Sequence, residues 1–267
     1  MGTGEYAGVR GALGSDRRKM MQHDFHRRSA VVTGAGSGIG RATALALAWA
    51  GASVVAVDMA EAGLAAVERL GGPEIHALAA DITDPATPAQ ILARAGGRVD
   101  VLINVAGIMD GFLAAHEVDD ETWDRVLAVN LTAPQRLMRA VLPGMLEAGR
   151  GTIVNVASEA GLKGGCAGAA YTASKHGLVG LTRNTAFLYA TKGIRVNAVA
   201  PGPVATGLRP DFRSSLAAER LPDLIKASIS GIATAEQIAE AVLWLAGPAS
   251  GNVTGAILAS DGGWSAA

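Results

Sequence analysis

"TGAGSGIG", Thr33 to Gly40, joins an apolar run, "SAVVT" (Ser29–Thr33), to a helix-like segment, "IGRATALALAWA" (Ile39–Ala50). A glycine turn between strand and helix lets backbone N–H groups approach a phosphate, and the helix N-terminus adds partial positive charge there. Gly34, Gly38 and Gly40 give the spacing G-x-x-x-G-x-G. Ile39 and Arg41 rule out the G-x-G-x-x-G frame, and the G-x-x-x-x-G-K-[ST] phosphate loop is absent. The bland alternative is a tight turn without a ligand; the strand before it and the helix after it weigh against that reading.

Outward from this loop, short apolar runs alternate with helical patterns. "SVVAVD" (Ser53–Asp58), "IHALAAD" (Ile75–Asp81), "VDVLINVAG" (Val99–Gly107), "GTIVNVAS" (Gly151–Ser158), "IRVNAVAPG" (Ile194–Gly202) and "GAILAS" (Gly255–Ser260) follow the first run. They are nearly continuous in apolar residues, which marks strands buried on both faces. Right-handed crossovers through the intervening helices then give an α/β, doubly wound Rossmann sheet of seven mainly parallel strands. Residues 29–267 are read as one such domain. Residues 1–28 are read as a tail, with Met20 or Met21 as alternative starts. The stretch from Pro203 to Gly231, with Pro210 and Pro222, is long for a connection and is expected to be a lid with short helices.

Composition excludes several classes. The chain of 267 residues is 49% hydrophobic and 4% aromatic with net charge −1, so nothing electrostatic points to nucleic acid or anionic lipid. The one cysteine, Cys166, leaves no disulfide framework or cysteine-cluster metal site and suits the cytoplasm. The five histidines show no metal spacing, so no metal is expected. Ala241 to Ser260 carries no charge, but Gly247, Pro248, Gly251 and Gly255 interrupt it, so no membrane span is expected.

Asp58 ends the second run, twenty residues after Gly38. A carboxylate there accepts hydrogen bonds from an adenosine ribose and repels a 2′-phosphate, which favours NAD over NADP. The alternative is a cap for the helix that follows. "YTASK" places Tyr171 and Lys175 four apart, on one helix face. A free phenol has a pKa of about 10 and is a poor base near neutrality; a neighbouring ammonium lowers it. By itself the pair reads as a solvated helix face, Ser158 as a cap or turn residue, and Asn130 as a turn side chain.

Together these residues resemble the short-chain dehydrogenase/reductase family, from about Ser29 to Gly263. Thr33, Gly34, Ser37, Gly38, Ile39 and Gly40 match its cofactor loop, and Asp81 with Ile82 stands where the family contacts adenine. Asn104, Ala106 and Gly107 of "NVAG" fall where the family usually has N-N-A-G, with Val105 as a departure. Pro201, Gly202, Val204 and Thr206 of "PGPVAT" match the nicotinamide-side loop. Asn130, Ser158, Tyr171 and Lys175 match the four catalytic positions, with Ser158 thirteen residues before Tyr171.

The resemblance implies a secondary alcohol or ketone as substrate. Tyr171 would exchange the proton, Ser158 would stabilise the reacting oxygen, Lys175 would hold the nicotinamide ribose, and Asn130 would hold a relay water. It also implies a homotetramer built on helices near residues 121–148 and 171–191. A 3-oxoacyl-acyl-carrier-protein reductase and a non-catalytic NAD-binding regulator are the alternatives; Asp58 and the full set of four residues weigh against them. The small residues of "EAGLKGGCAGAA" (Glu159–Ala170) predict a roomy substrate pocket, with Arg209, Arg213, Arg220 and Lys226 available from the lid.

Overall fold

The computed structural model describes residues 24–207 and 211–266. Seven parallel strands form one sheet in the order β3-β2-β1-β4-β5-β6-β7. They are β1 (Ser29–Thr33), β2 (Ser53–Asp58), β3 (Ile75–Ala79), β4 (Val101–Asn104), β5 (Gly151–Val156), β6 (Ile194–Pro201) and β7 (Ile257–Ser260). The strand order reverses between β1 and β4, which opens a crevice at their carboxyl ends.

Each central strand is buried on both sides, and alternate residues serve two separate cores. Val32, Val54, Ile103 and Val154 pack under α1 (Gly38–Trp49), α2 (Glu61–Gly71) and α8 (Ala235–Ala246). Val31, Val55, Leu102 and Ile153 pack under α3 (Thr87–Arg94), α5 (Ala133–Ala148) and α6 (Ala169–Tyr189). This is why the runs are continuously apolar instead of alternating. The remaining helices are α4 (Asp120–Leu127), joined to α5 by a π-turn over Ala128–Thr132, and α7 (Ser215–Ser228) in the long segment after β6.

Several strands are shorter than their apolar runs. β4 stops at Asn104 because the next two N–H groups, of Val105 and Ala106, donate to the Thr33 hydroxyl at 3.1 and 3.2 Å instead of to a neighbouring strand. β7 starts at Ile257, after the left-handed turn of Gly255 (φ 77°). Phe25, inside the stretch read as a tail, is buried and its N–H donates to the Ala50 carbonyl at 3.0 Å. Met20, Met21 and Arg209 lie outside the described residues. Among the described residues, no helix is long and apolar enough to cross a membrane.

Candidate active site

The glycine loop turns back under the ends of β1 and β4. Gly34 (φ 67°) approaches Ala106 so closely that an added Cβ would lie 3.0 Å from its backbone. At Gly40 a Cβ would lie 2.0 Å from the Gly34 carbonyl oxygen, so only glycine lets α1 start this tightly against the loop. Ser37 is the N-cap of α1, yet its hydroxyl makes no capping bond, which leaves the helix entrance open to an anion.

A cleft of ≈ 370 Å³ lies elsewhere, on the outer side of α6; the crevice above β1 and β4 is larger, ≈ 810 Å³. Gly34, Ser37, Gly38, Ile39, Gly40, Asp58, Asp81, Ile82, Ala106, Gly107 and Thr206 all line this larger cleft. Residues from four strand ends thus meet there, as a dinucleotide site requires: glycines at the phosphates, a carboxylate at the ribose, and apolar walls for the rings. Asp58 accepts the Gly36 N–H at 2.9 Å through Oδ2 and the Ala60 N–H at 2.9 Å through Oδ1. It therefore ties the glycine loop to the end of β2. It is not the N-cap of α2, a position taken by Ala60.

Asn104, Pro201, Gly202 and Val204 do not line the cleft. Asn104 is buried and donates to the Asn155 carboxamide at 2.8 Å, bracing β4 on β5. Pro201 pairs with Ser260 at the end of β6, the Gly202 N–H donates to the Ser260 carbonyl at 3.2 Å, and Val204 bridges to Ala233. These three fix the path by which Thr206 reaches the cleft, where a Cβ on Gly38 would meet the Thr206 methyl at 3.0 Å.

The second group of residues adjoins the cleft through Gly107. A Cβ there would lie 3.3 Å from Asn130 Oδ1 and 3.5 Å from Lys175 Nζ. Tyr171 and Lys175 are both buried on the inner face of α6. The lysine Nζ donates to the Val156 carbonyl at 2.9 Å and stands 5.5 Å from the centroid of the Tyr171 ring. Ser158, just past β5, accepts the Ala160 N–H at 3.2 Å and hydrogen-bonds the Tyr171 phenol. Asn130 lies in the π-turn, whose extra residue swings it inward. Its carboxamide accepts the Ile108 N–H at 2.9 Å and donates to the Ile108 carbonyl at 3.0 Å and to Ser174 Oγ at 3.1 Å. The Asn130 side chain thus clamps the segment after β4 to α6.

Burial governs the titration of the pair. It pushes the Tyr171 phenol up to about 12, against the Ser158 hydrogen bond, which lowers it; the carboxylate of Asp110 adds to the rise. Burial also brings the Lys175 amine down to about 8. The phenol thus stands above its usual value, where the neighbouring ammonium led the sequence to predict a fall, because it has lost its water.

Three features escaped the sequence reading. Asp110 is buried and touches the backbone of Tyr171. Asp124, Arg125, Ala128 and Val129, from α4 and the π-turn, complete one wall of the cleft. Glu159 is buried with both carboxyl oxygens unpartnered by any donor, and it faces Asp261. None stands in a recognisable spacing, since each depends on partners far away in the chain. Among the described residues, no group of three or more His, Cys, Asp or Glu is placed to hold a metal.

Known proteins resemble this chain along most of its length. The family model described as short chain dehydrogenase matches residues 28–217. A short-chain dehydrogenase/reductase of Talaromyces verruculosus is 39% identical over 248 residues, covering 88% of this chain and 96% of the relative. The cis-4-hydroxycyclohexanecarboxylate dehydrogenase of Sinomonas cyclohexanicum is 42% identical over 255 residues, covering 92% and 100%. A crystal structure from Beutenbergia cavernae, described as an NAD(P)-dependent gluconate 5-dehydrogenase with bound NADP at low occupancy, has a TM-score of 0.80 and 42% identity, covering 91% of this chain and 99% of that one.

Proposed function

The chain belongs to the short-chain dehydrogenase family and is an NAD(P)-dependent oxidoreductase; from that premise we propose that it interconverts a secondary alcohol and a ketone, with Tyr171 as general acid and base. The observation that carries this reading is the cluster of half-buried Ser158 with buried Tyr171 and Lys175, beside a glycine-lined cleft.

The cleft residues from Gly34 to Gly40, with Asp58, Asp81, Ile82, Ala106, Gly107 and Thr206, would hold the dinucleotide, which supplies or accepts the hydride. Tyr171 keeps its proton at neutral pH and is ready to donate it to a carbonyl oxygen. Ser158 stabilises charge that develops on that oxygen. For the reverse reaction the phenol must lose its proton, and the Ser158 hydrogen bond and the Lys175 amine are the groups that favour the anion. Asn130 holds the segment after β4 against α6, so that Lys175 stays beside Gly107.

Asp58 supports NAD over NADP, because its carboxylate lines the cleft and would repel a 2′-phosphate. The NADP in the related crystal structure makes this a question for measurement. Fluorescence titration with NADH and NADPH, followed by a panel of secondary alcohols and ketones, tests both claims. Tighter NADH binding and turnover of a panel member are expected. Equal binding of the two cofactors would remove the NAD preference, and cofactor binding without any turnover would favour the non-catalytic regulator.

A homotetramer is the proposed assembly. Phe187 and Leu188 on α6 are 83% and 58% exposed, and Trp123 on α4 is 36% exposed, on the two helical regions expected to pair between subunits. Light scattering on the purified chain tests it. The cytoplasm is the proposed location, on the single cysteine.

A further inference from the structure

We propose that Asp110 is a positioning residue for Tyr171, anchoring the first turn of α6 to the segment that follows β4. The proposal rests on the reading of Tyr171 as the acid and base.

A helix needs partners for its first N–H groups. The N-cap of α6 is Gly168, which has no side chain to offer. Nor could it carry one, because a Cβ at Gly168 would lie 2.5 Å from both carboxylate oxygens of Asp110. Asp110 fills that place, and its Oδ2 accepts the N–H of Tyr171, 61 residues further along the chain, at 2.9 Å. The other oxygen, Oδ1, accepts the Phe112 N–H at 3.1 Å. Asp110 is 1% exposed, so water does not compete for either bond.

The second bond explains why the anchor is firm. Gly111 (φ 69°) and Phe112 (φ 58°) are both left-handed, an arrangement that costs energy at a phenylalanine and needs outside support. Asp110 closes this turn, and the Leu113 carbonyl then accepts the Ala169 N–H at 2.9 Å. The segment from Asp110 to Leu113 thus grips the first turn of α6 at two N–H groups, those of Ala169 and Tyr171. On its far side it meets the lid: the Arg213 N–H donates to the Gly111 carbonyl at 2.9 Å, and the Phe112 and Phe212 ring centroids are 4.4 Å apart.

The carboxylate does more than hold the backbone. Its negative charge disfavours the phenolate and adds to the rise in the Tyr171 pKa. The charged groups facing the phenol are Asp110 from the segment after β4 and Lys175 from α6 itself; Arg213 of the lid packs on Gly111. A neutral side chain that keeps the fold would therefore let Tyr171 ionise more readily. An ordinary cap, which acts on the backbone alone, would leave that ionisation unmoved.

The test uses the full chain labelled with ¹³C at tyrosine Cζ. Tyr171 is assigned by its loss in Tyr171→Phe, and Tyr189 serves as internal control. In Asp110→Asn, and independently in Asp110→Ser, the Tyr171 resonance should begin to titrate at lower pH than in the wild type, with Tyr189 unchanged. An unmoved Tyr171 titration in a folded variant overturns the proposal. Where the wild type turns over cyclohexanol or 4-hydroxycyclohexanecarboxylate, kcat should fall by up to about 100-fold in these variants while NADH affinity holds. Full kcat in a folded variant also overturns it. A wild type that turns over neither substrate counts against the catalytic reading and leaves the resonance test of Asp110 in force.

Discussion

The Lys175 amine donates to the Val156 carbonyl at 2.9 Å and stands 5.5 Å from the centroid of the Tyr171 ring. The lysine is therefore pinned to the end of β5, and the tyrosine one turn earlier is held at a fixed height above it. Tyr171→Phe keeps the ring and its packing and removes only the phenol oxygen. Turnover of any alcohol or ketone substrate should fall by at least about 100-fold, the lower end of what a positioned acid and base contributes. Cofactor affinity by NADH fluorescence should stay within a few-fold. A fully active variant would sink the mechanism.

Asp58 binds two backbone N–H groups, of Gly36 and Ala60, and also lines the cleft. Asp58→Asn removes the charge and keeps an oxygen able to accept from Gly36. The ratio of NADPH to NADH dissociation constants should move towards NADPH by about tenfold, equivalent to ~1.4 kcal/mol. Paired titrations with the two cofactors measure it. An unchanged ratio would show that Asp58 serves the loop and takes no part in cofactor choice.

Two glycines in helices should respond oppositely to alanine. A Cβ at Gly40 would lie 2.0 Å from the Gly34 carbonyl oxygen, so Gly40→Ala must push α1 away from the loop. Loss of thermal stability and of cofactor binding should follow together. A Cβ at Gly144, on the exposed side of α5, meets nothing within 4 Å. There alanine should stabilise by about 0.5–1 kcal/mol, because it reduces the freedom of the unfolded chain. Thermal melts of the two variants give the comparison.

Glu159 has no donor partner, because its neighbour Asp261 is also an acid, and two carboxyls can bond only through a shared proton. Burial first, then Asp261, push Glu159 from 4.5 up to about 7. Below its unfolded pKa both states hold the proton and folding is unpenalised. Between 4.5 and about 7 the unfolded chain releases the proton while the folded chain keeps it, so stability should fall as pH rises. Asp261, lowered from 3.8 to about 2, works in a more acid window: its contribution is lost as pH falls through about 2. Glu159→Gln should flatten the decline between 4.5 and 7 and leave the variant more stable than the wild type above it. Melting temperature against pH is the measurement; identical curves would remove Glu159 as the cause.

The seven strands, the glycine loop and the spacing of Ser158, Tyr171 and Lys175 were all legible in the sequence, because each depends on neighbours close in the chain. Continuous apolar runs report strands covered on both faces, and glycine reports a backbone that tolerates nothing else. A four-residue step puts two side chains on one face of any helix. Tertiary structure decided what those local patterns could not carry. It ended β4 at Asn104, since the Thr33 hydroxyl takes the next N–H groups. It gave Asn130 to Ile108 and Ser174, and supplied Asp110 as the cap that Gly168 lacks. It also raised the Tyr171 phenol where sequence proximity to lysine predicted a fall, because loss of water acts on a group through everything packed around it. Spacing along the chain records which groups share a helix face; burial and hydrogen bonding are set by residues that only the fold brings near.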